Sequence, residues 1–104
     1  MKLMGAFFIL ILSLASVGVS ADQLQRPFTV KQIFAEGNTT AGFYPYEPLP
    51  ECKWNIMYLD LTKESGKASF SLLIAAKAAS YTIRRIDYTV SSLGTCLASA
   101  IHIQ

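Results

Sequence analysis

A chain of 104 residues, 52% of them hydrophobic and only 15% charged, has room for one small domain. The formal net charge is +2, and Arg84-Arg85 is the adjacent basic pair, so there is little footing for phosphate contacts and nucleic acid is excluded as a partner. An aromatic content of 12% supplies enough apolar side chain to offset the entropy of ordering the backbone, which excludes intrinsic disorder.

Met1-Lys2 is a short basic start, Met4 to Ala15 an apolar run, and Val19-Ser20-Ala21 a set of small residues before Asp22-Gln23. This pattern predicts an export signal peptide over residues 1–21, cleaved after Ala21, with residues 22–104 forming the single mature domain. The uninterrupted apolar run is shorter than the ~20 residues a spanning helix needs, so no membrane insertion is expected once the leader is removed. Any membrane association would have to come from the folded domain. Without Lys2 the mature chain is nearly neutral, and contacts must decide its partners where long-range steering cannot.

In chain order, Asp22 to Pro27 reads as a polar lead-in, and Phe28 to Phe34 has the β-branched and aromatic content of a strand. Its period slips between Val30 and Ile33, which predicts a β-bulge and a strongly bent sheet. Glu36-Gly37-Asn38-Thr39-Thr40 is a turn, and Ala41 to Tyr44 a short returning strand. Pro45, Pro48 and Pro50 forbid regular pairing and predict an extended loop. Trp54 to Leu61 reads as a central strand covered on both faces, ended by the polar turn Thr62 to Gly66.

From Lys67 to Ala79 there is neither Pro nor Gly, there are five alanines, and Phe70, Leu73 and Ile74 recur at helical spacing. Thr62 or Ser65 is the expected cap. Apolar residues cover most of this helix, so one face should pack on the sheet while a second meets another surface, such as another subunit. Tyr81 to Val90 alternates as a strand except at Arg84-Arg85, where a second bulge is expected. After the turn Ser91 to Gly94, Thr95 to Ile103 makes the last strand, with Leu97, Ser99, Ile101 and Ile103 on one side and Cys96, Ala98, Ala100 and His102 on the other. The fold class is therefore mainly β with one helix, in the order β-β-β-α-β-β. That order is the one of a five-stranded OB-like Greek-key barrel, with an open α+β sandwich as the alternative.

Cys52 and Cys96 both lie in the mature chain, and export to an oxidising compartment predicts a disulfide between them. It would close a loop of about 45 residues, worth on the order of 4 kcal/mol in the chain-entropy model, a large share of a small domain's stability. Two thiols and one His, without a Cys-x-x-Cys spacing, do not make a four-ligand zinc site, so no metal and no other cofactor is expected.

The segments Tyr58-Leu59-Asp60-Leu61-Thr62, Gly66-Lys67-Ala68 and Ser71-Leu72-Leu73-Ile74-Ala75-Ala76-Lys77-Ala78 precede a strand, Cys96 and a terminal Ile101-His102-Ile103. Together they resemble small exported bacterial proteins similar to the B subunits of subtilase cytotoxin and the pertussis-like toxins. The likeness runs from Gly42 to Ile103. It implies an OB barrel, a disulfide and, for true toxin subunits, a pentameric ring that binds cell-surface glycans, which leaves a homo-oligomer open for this chain. No sugar-site motif matches residue by residue, so the resemblance carries over fold, secretion and disulfide only.

No enzyme is expected. A nucleophile needs a base oriented by a third group, and the sole imidazole, His102, is near the end of a strand; Asp60, Glu64 and Asp87 have nothing in the sequence to make them neighbours. Gly66-Lys67-Ala68 has the Gly-Lys pair of a phosphate loop without its earlier Gly or its Ser/Thr, and reads as a helix start. The candidate binding residues are Phe43, Tyr44 and Tyr46, rings on a proline-stiffened loop suited to sugars and peptides, with Arg84 and Arg85 as grips for a carboxylate. The expectation is a secreted or periplasmic module that binds a glycan or a protein partner. The alternative is an envelope interaction protein or inhibitor that acts through its helix face.

Overall fold

The computed structural model describes residues 22–104; the leader read over residues 1–21 lies outside the described residues. The described residues form one six-stranded mixed sheet and one α-helix. The strands are β1 (Asp22–Leu24), β2 (Val30–Glu36), β3 (Thr40–Pro45), β4 (Met57–Asp60), β5 (Ile83–Val90) and β6 (Cys96–Ile103), and the helix α1 (Glu64–Ala79) joins β4 to β5. Their order across the sheet is β1-β5-β6-β4-β3-β2, with β4 and β6 parallel and every other neighbouring pair antiparallel.

The strand count departs from expectation because the polar lead-in is itself a strand. Its single apolar residue, Leu24, is buried, while Asp22 and Gln23 face water and pair with Tyr88 and Asp87 of β5. The ladder is open, with β1 and β2 at its two edges. Phe28, just ahead of β2, exchanges two backbone hydrogen bonds of 2.9 Å with Ile83 at the start of β5.

Both expected bulges are present. Register slips between Val30 and Gln32 make Lys31 the extra residue of β2, and a slip between Ile83 and Arg85 does the same for Arg84 in β5. A third slip leaves Ser99 of β6 unpaired between Ala98 and Ala100, and this overturns the simple alternation expected there. Cys96 and Ala98 are buried on one phase and Ile101 on the other, because one inserted residue moves everything after it to the opposite face.

The core gathers Phe28, Phe43, Met57, Leu59, Leu73, Ile83 and Ile86, each fully buried and each contributing about 1.5–3 kcal/mol relative to exposure. Helix α1 lies against β6, β4 and β2, burying the narrow stripe Gly66, Ser69, Leu73 and Ala76. Gly66 explains why the helix can start so close to β4, since a Cβ there would come within 1.9 Å of the Asp60 carbonyl oxygen. The helix begins three residues earlier than expected, at Glu64, and Lys63 is its N-cap with no side-chain bond, so neither Thr62 nor Ser65 caps it. Ser80 ends it in the left-handed conformation (φ 60°), and the Tyr81 amide donates back to the Ala76 carbonyl at 2.9 Å.

The expected long central strand is short. Lys53–Asn55 is instead a 3-10 turn that throws Trp54 out to solvent, and pairing starts only at Met57. The disulfide joins Cys52 to Cys96 with a Cα–Cα distance of 5.4 Å, tying that turn to the start of β6. No helix among the described residues is long and apolar enough to cross a membrane.

Candidate functional site

Two surfaces have the chemistry of a binding site. The first grows from strand alternation on the outward side of β2, β3 and β4. The pairs Phe34↔Gly42, Gly42↔Tyr58 and Tyr58↔Leu97 form one row across four strands. Because Gly42 carries no side chain, the Phe34 ring lies over it; a Cβ there would stand 2.7 Å from Phe34 Cζ and 2.6 Å from the Met57 carbonyl oxygen. Phe34 thereby meets Tyr58 edge-on (centroids 5.7 Å apart, planes at 84°) and Tyr44 at a tilt (5.7 Å, 52°). All three rings are half-buried, so each keeps a face or an edge in water.

At the Asp60 end of this row a groove of about 470 Å³ is lined by Thr39, Thr40, Tyr58, Asp60, Thr62 and Leu97. Asp60 Oδ1 accepts from the Thr62 hydroxyl at 2.6 Å and the Thr62 amide at 2.9 Å, and these bonds hold its carboxyl below the usual carboxylate range. Rings that offer flat apolar faces stand next to hydroxyls and an ionised carboxylate. That combination suits a polyhydroxylated ligand, whose C–H faces stack while its hydroxyls hydrogen-bond.

The second surface is a polar groove where β1, β5 and β6 meet. Two contiguous hollows of about 430 and 450 Å³ share Gln25, Arg84 and Gln104; Arg85 and His102 line one, Arg26 and Thr82 the other. Most of its charge is already engaged. Arg85 grips Asp87 with both Nε (2.8 Å) and Nη2 (3.2 Å), and Arg26 forks onto Glu51 with two bonds of 3.0 Å. The Arg26 bonds hold the Glu51 carboxyl below its usual range and raise the guanidinium's own value. Arg84, exposed on its bulge, donates to the side-chain oxygen of Gln104.

The five residues expected to bind therefore separate. Phe43 is fully buried in the core and offers a ligand nothing, because the strand sends it inward where it sends Tyr44 outward. Tyr44 belongs to the aromatic row. Tyr46, 67% exposed, lines a different hollow with Tyr81 and the end of α1. Arg84 and Arg85 share the polar groove, where Asp87 already fills the Arg85 fork. Phe34, Tyr58 and Leu97 escaped sequence reasoning. Their signal was the glycine at Gly42, opposite which a ring can lie flat.

Glu47 anchors the proline loop by accepting from the Thr29 amide and hydroxyl, both at 2.7 Å. Burial pushes its carboxyl up, but the Thr29 bonds outweigh that and leave it below the usual range. Among the described residues no three His, Cys, Asp or Glu side chains stand together as a metal site. Compared with family models, curated proteins and solved structures, the chain has no match.

Proposed function

We propose that the chain is a secreted or periplasmic, non-catalytic binding module that takes a glycan on the outward row Phe34, Tyr44 and Tyr58. The observation that carries this is the ring packing over Gly42, which preorganises three half-exposed aromatics beside the Asp60 groove. The Cys52–Cys96 disulfide fits an oxidising compartment, and with the expected leader supports export.

The same proposal reads β2 to β6 as an OB-like barrel of five strands to which β1 is an addition, and so keeps the toxin B-subunit resemblance. Supporting it are the parallel register of β4 and β6, the place of α1 in the chain, and the Phe28–Ile83 bond pair that links the lead into β2 with β5. The test is a glycan array probed with the oxidised protein. Tyr44→Ala and Tyr58→Ala should abolish capture at a temperature where circular dichroism shows both still folded, each losing its ring contact of about 1 kcal/mol, and Tyr46→Ala should bind as the parent does. Loss of stability in step with loss of capture would make the row structural, and turnover removed by His102→Ala would overturn the non-catalytic reading.

A second reading, an interaction protein or homo-oligomer joined through α1, rests on Leu72 and Ile74, apolar helix residues left 38% and 50% exposed. Ser71→Glu, a charge among them, would then shift the native mass, and an unchanged mass would sink this reading.

A further inference from the structure

Among the described residues, the two most exposed large apolar side chains lie on neighbouring turns at the opposite end of β4 from the Asp60 groove. Trp54 is 69% exposed on the 3-10 turn and Leu93 is 76% exposed on the β5–β6 turn, with Val90 at 41% just before it. The two turns are pinned to each other, since the Lys53 amide donates to the Gly94 carbonyl at 2.8 Å and Cys52 is bonded to Cys96. Each is also braced by a side chain of its own. Asn55 accepts from the Leu49 amide at 2.6 Å and donates to the Glu47 carbonyl at 3.3 Å, while Ser91 Oγ accepts from the amides of Leu93 and Thr95 at 3.2 Å.

Trp54 holds φ 61° and ψ 15°, and Asn55 follows at φ 60°. A bulky side chain in the left-handed region is strained, and such strain persists only where surrounding structure over-determines it. Here the strain is not offset by burial in the core, for the indole is exposed to water with only the Lys53 ammonium found over its ring, 4.4 Å from the centroid. The tip is exposed and tied down by the disulfide and the Lys53–Gly94 bond, and neither Cys52 to Ile56 nor Val90 to Cys96 contains an Asp or Glu.

We propose that this tip docks on an anionic phospholipid surface, with Trp54 and Leu93 entering the headgroup boundary and Lys53 staying among the phosphates. An indole has an apolar body and one polar N–H, and settles at that depth; a lysine stem lies along apolar surface while its head remains in water. The nearest carboxylate, Glu51 just before Cys52, is neutralised by its two bonds to Arg26, which weakens the repulsion that an anionic surface would otherwise exert. Apolar area and charge attraction then add, as they do for other peripheral anchors.

Trp54 is the protein's one tryptophan, so its emission reports the tip alone. Oxidised protein should be titrated with vesicles of phosphatidylcholine containing phosphatidylglycerol, and with phosphatidylcholine alone. The expected result is a blue shift and shielding from acrylamide on the anionic vesicles, matched by cosedimentation. Lys53→Glu should weaken that cosedimentation on the order of tenfold through charge, and Leu93→Ser by roughly as much through lost apolar area. Both positions are exposed, and circular dichroism checks that the variants fold. Emission unchanged by either vesicle, with Trp54 still fully quenchable, overturns the proposal and turns attention to a concave pocket on a partner protein. Binding insensitive to Lys53→Glu and Leu93→Ser overturns it as well.

Discussion

The aromatic row and the polar groove both present recognition side chains but differ in what those side chains are already doing. On the row, Phe34 holds both Tyr44 and Tyr58 by ring contacts, which use apolar surface and leave part of each ring exposed to a ligand. In the groove, Arg85 and Arg26 are held by the same hydrogen bonds that a carboxylate ligand would want, given to Asp87 and Glu51. Packing can position a stacking group without consuming it. An ion pair positions an arginine by filling its fork.

A change that reaches past both regions sets the scale. Replacing Cys52 and Cys96 by serine should destabilise by about 2–5 kcal/mol, read from urea unfolding of the oxidised parent against the variant. Gly42→Ala follows, and it separates the two surfaces. Its methyl group meets the Met57 carbonyl, which as backbone cannot step aside, so a loss of roughly 1–3 kcal/mol is expected. The aromatic row should lose its ring contacts, seen in aromatic NMR shifts, while the Arg84 groove keeps its own; shifts spread over both would erase the distinction.

Asp87→Asn sharpens the contrast from the other side. Freed from its partner, Arg85 should let the groove take a carboxylated sugar several-fold more tightly by calorimetry, because a bidentate guanidinium contact becomes available to the ligand. No gain would mean that the groove is not a site at all.

The smallest effect expected is on acid stability. Glu51 and Glu47 have folded values below the usual carboxylate range, held there by Arg26 and Thr29. A depressed folded value contributes stability above the unfolded carboxylate value, and that contribution is lost as pH falls through the folded one. The melting temperature should therefore drop on acidification below about pH 4.5, the ordinary carboxylate value. With Glu51→Gln or Glu47→Gln the drop should be shallower; an identical slope would show that neither pair is linked to folding. Both pairs are solvent-accessible, which keeps the effect modest.

The composition, the disulfide, the turn at Gly37, the helix and two of the three bulges were legible because each is a local pattern: a period, a phase slip, a cysteine pair, a positive-φ glycine. The bulge at Ser99 was not, since Ala98 and Ala100 on either side of it fit the uninterrupted alternation expected for this strand as well as they fit the slipped register. Trp54 read as a strand residue by propensity, yet the bonds of Asn55 and the Cys52 bridge put it on a turn. Tertiary restraint outweighs a preference of about 1 kcal/mol.

For the candidate site the division is the same. The chain itself determined which rings and cations exist, and strand alternation then decided that Phe43 and Tyr44 could not serve together. Only the tertiary structure decided that Phe34 and Tyr58, far apart in sequence, meet across Gly42, and that Asp87 spends the fork of Arg85. Register sets the first and distance between side chains sets the second, and neither is a property of any single segment.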